Sequence, residues 1–189
     1  MTSLIRTLLF IVMALANPVL AQQADSPSWW QTANNHVINI MNTGTHDLYL
    51  SGYIHHGRGT YSEERIKELN EKDAWGLGIG KTVRNDRMND ESLFILGFND
   101  SHYNLQLMAG YAYLWVWPIA RTGFEVSGGL SALLISRQDY FGGFPFPAVL
   151  PVAAVGPQKA KLFFSYVPRL SGNKGNGDVL FVFGRISFD

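Results

Sequence analysis

From Asp47 onward, apolar and polar residues alternate along eight extended runs, each bounded by clusters of Gly, Pro, Asn, Asp and Ser. Period-two alternation punctuated by turn chemistry predicts strands, because successive side chains on a strand point to opposite faces. The runs fall near 47–59, 74–84, 91–99, 104–115, 122–137, 147–156, 159–168 and 178–188. Ahead of them, "DSPSWWQTANNHVINIMN" sets Trp30, Ala33, Val37, Ile40 and Met41 at helical spacing behind the candidate caps Asp25, Ser26 and Ser28. A short amphipathic helix is expected there, with Trp29 and Trp30 suited to a membrane interface.

The two faces of the strands differ in bulk. In "AWGLGIGKTVR", Trp75, Leu77, Ile79 and Val83 share one face while Gly76, Gly78 and Gly80 occupy the other. In "LQLMAGYAYLW", Leu105, Leu107, Tyr111, Tyr113 and Trp115 stand opposite Met108, Gly110, Ala112 and Leu114. Run five carries Glu125, Ser127, Gly129 and Ser131 on one face, then Leu133, Ile135 and Arg137. A bulky, lipid-ready exterior thus surrounds an inner face that is small and apolar above a polar base.

The first 21 residues have the form of an export signal. Arg6 precedes the apolar centre "LLFIVMALA", and "VLA" supplies small residues before a cut at about Ala21, so the mature chain is expected to start at Gln22. The stretch is short for a spanning helix, and Asn17 and Pro18 interrupt it. Only 16% of residues are charged, against about 25% in an ordinary soluble domain. An even number of strands behind an export signal, each long enough to cross lipid, predicts an all-β fold: an eight-stranded antiparallel transmembrane β-barrel at 47–189, preceded by a periplasmic-side helix and lead-in at 22–46. In lipid every backbone polar group must pair internally, so the sheet has to close. A monomer or weak homodimer is expected. The chain has no cysteine, so packing and backbone pairing carry its stability. Loss of the signal leaves 14 basic and 15 acidic residues, which excludes a basic nucleic-acid surface.

A barrel of eight strands is just wide enough for side chains or one small ligand. The bare glycine faces favour a slot for a hydrocarbon chain over a solid core. Pro145, Pro147, Pro151 and Pro168 lie beside runs six and seven, where a missing N–H weakens the ladder and could open a lateral path to lipid.

Turn counting puts the connections 60–73, 99–104, 138–147 and 169–178 at the outer end. The first, "TYSEERIKELNEKD", holds eight charged residues and reads as a solvated lid or binding loop. The same counting brings His56 to the rim that carries Asp100 and Ser101. A histidine to take a proton, a carboxylate to hold it and a hydroxyl to attack or donate suit acyl transfer. Asn-Asp-Ser between strands equally makes a turn through local side-chain bonds, and no nucleophile elbow surrounds the serine. The residues alone leave both readings open.

The ordered set "HDLYL", "HHGRGTY", "NEKDAWGLGIG", "LGFNDSHYNLQLMAGYAY", "FPFPAVLPVAAVG", "YVPR" and "RISF" resembles the PagP-type lipid A palmitoyltransferases of the Gram-negative outer membrane, over about His46 to Phe188. The resemblance implies transfer of a palmitoyl chain from the sn-1 position of a glycerophospholipid to a hydroxyacyl chain of lipid A, with no metal or soluble cofactor. It places the catalytic histidine at His56 rather than His55, the catalytic aspartate at Asp100 and the serine at Ser101. It implies lipopolysaccharide recognition by Arg65, and phospholipid gating at Pro151 and Pro168. The gating tyrosine of the family falls on Ser171, in a longer loop. A family proline early in strand one falls on Ser51, which argues against a second lateral opening. The acyl-chain pocket is expected to involve Gly76, Gly78, Gly80, Met108, Gly110 and Ala112. Ala112 stands where the family commonly has glycine at the slot floor, so its methyl should favour a chain about one methylene shorter. The chain ends in Phe188-Asp189, whereas outer-membrane barrels commonly finish on the aromatic residue. Two rivals predict no acyl transfer: a non-enzymatic small barrel (adhesin, stabiliser or lipid-binding module), and a soluble lipocalin-like carrier that needs no detergent.

Overall fold

A computed structural model describes residues 28–138, 141–169 and 177–188. The signal segment with its Gln22 boundary, the caps Asp25 and Ser26, Ser171 and Asp189 lie outside them.

Eight strands close into an antiparallel barrel in which every strand pairs with its sequence neighbours and β1 pairs with β8. They are β1 (Thr45–His56), β2 (Gly76–Arg84), β3 (Asp90–Asn99), β4 (Leu105–Pro118), β5 (Phe124–Ser136), β6 (Phe146–Pro157), β7 (Ala160–Val167) and β8 (Val179–Phe188). Each expected run falls on one of them, with ends agreeing to about three residues. The exterior bears Trp75, Leu77, Ile79, Leu105, Leu107 and Trp115, all exposed. In water such a girdle would be a large apolar patch; around a closed sheet it is a surface suited to a bilayer.

Helix α1 (Trp29–Thr43) packs outside β2 and β3. The backbone N–H of Ser28 donates to Gln31 Oε1 at 2.8 Å, which fixes the start. Ile40 is fully buried, whereas Trp29, Trp30 and Met41 are exposed. Two polar contacts tie the helix down: His36 Nδ1 lies 2.7 Å from Glu91 Oε2, and Lys81 Nζ donates to Met41 O at 2.7 Å. Both are near the short β2–β3 turn, so α1 marks the barrel end opposite His56.

The interior has the expected two halves. At the helix end lies a sealed polar layer. Lys161 Nζ is 2.9 Å from Asp90 Oδ2 and 2.7 Å from Glu125 Oε2. Arg84 bonds Asp90 at 2.7 Å and grips Glu125 with two bonds of 3.0 and 2.8 Å. Beside them Arg185 donates to Thr82, which donates to Asp47. Above that layer the lining is mostly apolar, with an aromatic wall in which Phe98 stacks on Phe181 at 4.3 Å and Phe163 on Phe183 at 5.1 Å.

The wall is incomplete in one place. Among the described residues the β6–β7 ladder holds only Val152↔Ser165, Ala153↔Phe164, Ala154↔Phe163 and Val155↔Leu162. It stops at Pro151, so the outer half of β6 lacks a ladder to β7, as the prolines predict. The outer half of β1 has also left β2, whose ladder ends at Ser51↔Gly76. There, however, Ser51 Oγ donates to Ala74 O at 2.8 Å and Ile54 N–H donates to Glu71 O at 2.9 Å. The loop after β1, which includes the short helix α2 (Glu63–Glu68), covers this second gap.

Candidate active site

One cavity of about 150 Å³ runs from the outer rim down the barrel axis. His56, Asp100 and Ser101 meet at its mouth; Ser92, Ala112 and Ser131 line it deeper, on three adjacent strands in cross-strand register.

His56 reaches the interior because of a bulge. The β1–β8 register shifts between Ser51 and Tyr53, with Gly52 at the irregularity. An extra residue reverses the alternation, so Ile54 and His56 turn inward while Tyr53 turns out. His56 is 1% exposed and Tyr53 40%. Ser101 sits on the tight turn after β3, whose geometry is set by Asp100. Asp100 Oδ1 accepts from the N–H groups of His102 at 2.8 Å and Asn104 at 2.9 Å. Asp100 therefore does turn the chain, by an Asx-type contact. Its other oxygen, Oδ2, is buried, makes no hydrogen bond and lies 3.5 Å from Arg137.

Across the mouth, His56 Nε2 lies 3.0 Å from Ser101 Oγ. The second ring nitrogen, Nδ1, lies 3.2 Å from Glu71 Oε1, which also accepts the His56 backbone N–H at 2.9 Å. A carboxylate can only accept, so the ring hydrogen belongs on Nδ1 and Nε2 is left to accept from Ser101. Arg58 donates to Glu71 Oε2 at 2.8 Å. Burial pushes the Glu71 carboxyl up, but bonds from the His56 N–H and from Arg58 outweigh it and hold the carboxyl below its usual range. The arrangement is a hydroxyl, an imidazole and a carboxylate in series, which is the geometry of an activated oxygen nucleophile.

A family model described as "Antimicrobial peptide resistance and lipid A acylation protein PagP" matches residues 36–185. The chain belongs to the PagP family. The lipid A acyltransferase PagP of Bordetella pertussis (strain Tohama I) is 38% identical over 191 residues, covering 100% of both chains. That of Legionella longbeachae is 42% identical over 151 residues, which is 79% of this chain and 64% of the relative. That of Methylobacillus flagellatus is 35% identical over 161 residues, 85% of each.

The structure brings together His56, Ser101 and Asp100, but the bonds to the imidazole come from Ser101 and Glu71, not from Asp100. Glu71 escaped the sequence reading because it sits in a loop with eight charged residues, where no local pattern separates it from its neighbours. Arg65 lies at the cavity mouth, half-exposed and 2.8 Å from Glu68. Of the expected pocket residues, Met108 and Ala112 line the cavity. The four glycines do not, because neighbours have filled the room they leave. A Cβ on Gly76 would stand 2.3 Å from Phe98 Cβ, one on Gly80 2.9 Å from the Tyr49 ring, and one on Gly110 2.7 Å from Leu133 Cδ2. They let those side chains lie against the wall instead of across the bore.

Proposed function

We propose that the protein is an outer-membrane lipid A acyltransferase that moves a palmitoyl chain, or one of similar length, from the sn-1 position of a glycerophospholipid to a hydroxyacyl chain of lipid A. The supporting observation is the 3.0 Å contact between His56 Nε2 and Ser101 Oγ at the mouth of an apolar cavity. A buried acyl tail would lie in the bore with its ester at the rim, beside His56 and Ser101.

His56 Nε2 takes the Ser101 proton as Oγ attacks the ester carbonyl carbon. Collapse of the tetrahedral adduct breaks the carbonyl–oxygen bond, and the departing lysophospholipid oxygen takes the proton from His56. The lipid A hydroxyl then attacks the acyl-serine, gives its proton to His56, and Ser101 Oγ recovers a proton as it leaves. Asp100 shapes the turn that presents Ser101, and its second oxygen lies 3.5 Å from Arg137. Arg65 is assigned to the anionic acceptor headgroup. Purified barrel given donor alone should gain one acyl mass on Ser101, and addition of lipid A should discharge it. Transfer without any adduct, undiminished in Ser101→Ala, would refute the covalent route; no acyl mass on lipid A would refute the function.

Two further outcomes follow from the bore. The donor is proposed to slip in where β6 and β7 separate, between Pro151 and Pro168. Continuing the Val152↔Ser165 register brings Leu150 opposite Val167. A disulfide between Leu150→Cys and Val167→Cys would hold the strands at sheet distance, so the oxidised protein should lose transfer and regain it on reduction. At the floor, Ala112→Gly should lengthen the preferred acyl chain by about one methylene. The ratio of rates for adjacent chain lengths should change by about tenfold, read by mass spectrometry of the product. An unchanged chain-length profile would remove Ala112 from the ruler.

A further inference from the structure

We infer that Glu71 is the positioning residue of the His56–Ser101 pair, orienting the imidazole and holding its reactive tautomer; this rests on the acyl-transfer reading above. The loop after β1 delivers two adjacent side chains to the two halves of the site. Asn70, 1% exposed, receives no help from a strand but joins the nucleophile's turn: its N–H donates to Ser101 O at 2.9 Å and its Nδ2 to Asp100 O at 3.2 Å. Glu71, next in sequence, holds the base through both its backbone N–H and its Nδ1. Its own carbonyl accepts from Ile54 N–H, so the segment is stitched into the wall where β2 has left β1. A carboxylate gripped from three sides cannot follow solvent. It fixes the ring in two directions and leaves Nε2 aimed at Ser101.

Among the described residues, these groups surround the imidazole. Glu71, Arg58 and the edge-on Tyr61 ring at 5.0 Å come from the loop, and Ser101 from the β3–β4 turn with the Asp100–Arg137 pair beside it. His55 adjoins on the same strand. An anion this close favours the protonated ring and a cation disfavours it. The two loop charges therefore act on the ring in opposite senses, a behaviour that mere loop anchoring would not produce.

The test is steady-state transfer from labelled phospholipid to lipid A by detergent-solubilised full-length barrel, across pH. Glu71→Gln should lower kcat about 10²-fold, as expected for a misplaced reacting group, with KM within about twofold. Its acidic limb should move toward lower pH. Arg58→Met, at a half-exposed position that tolerates change, should move the acidic limb to higher pH. Glu71→Asp should recover part of the lost kcat. If Glu71→Gln fails to fold, as judged by loss of heat-modified electrophoretic mobility, the Arg58→Met shift and the Glu71→Asp rate still decide. Wild-type kcat and an unmoved limb in these variants, with His56→Ala inactive, would overturn the role of Glu71 alone. Activity in His56→Ala would instead overturn the site on which it rests.

Discussion

His56→Ala should lower acyl transfer about 10³-fold, the scale of a lost general base, with the barrel still folded. Among the described residues, the base that meets the Ser101 hydroxyl is His56 Nε2; Asn70 supplies only an N–H to the Ser101 carbonyl. Ser101→Ala should cost a similar factor. Because base and nucleophile act as one unit, the double variant should be scarcely worse than either single one. The measurement is single-turnover release of labelled lysophospholipid, alongside heat-modified mobility as the control for folding. Additive losses, or half the wild-type rate in either single variant, would contradict the assignment.

Lys161→Met should destabilise the barrel by about 3 kcal/mol, the lower part of the range for breaking a buried ion pair by removing one partner. Lys161 is 2% exposed, and its ammonium bridges Asp90 and Glu125. With the cation gone, those carboxylates remain buried with Arg84 as their shared partner, and Ser127 loses the ammonium 3.3 Å from its Oγ. The layer closes the bore below the apolar half, so the substitution tests the floor as well as the fold. Reversible urea unfolding in detergent reads the change, and the midpoint should fall with an unchanged slope. Replacing Lys161 together with Asp90 by apolar residues of similar volume should recover part of the loss, because the uncompensated charge, rather than the missing attraction, is the main cost. Equal midpoints for wild type and Lys161→Met would mean that water reaches the layer.

How far the sequence carries can be judged from β1. Alternation from Tyr49 through Ser51 continues to Tyr53 and His55, so periodicity alone would have pointed His55 into the bore. Gly52 was the available hint, since a glycine inside a strand often marks a bulge, but a glycine does not say that the register shifts there. The resemblance implies His56, and the bulge is what turns that side chain inward. In β2 the glycine row marks the inner face, but it leaves no empty volume. Only the cross-strand partners Phe98, Tyr49 and Phe94 reveal who occupies it. The prolines of β6 were more direct reporters. A missing N–H is a local property, and the ladder does end at Pro151.

What the sequence determined by itself are the features written in one residue's own covalent structure or in its neighbours two positions away: eight strands, the bulky and bare faces, the weak seam at the prolines and the turn at Asp100. What only the tertiary structure decided are the contacts between residues distant in the chain. These are Glu71 behind His56, Asn70 under Ser101, the neutralised charge layer around Lys161, and the inward phase of β1 beyond Gly52. Such contacts depend on closure of the sheet, which fixes how far each strand slides against the next. A slide of one residue turns every side chain to the other face, and no local pattern encodes that register.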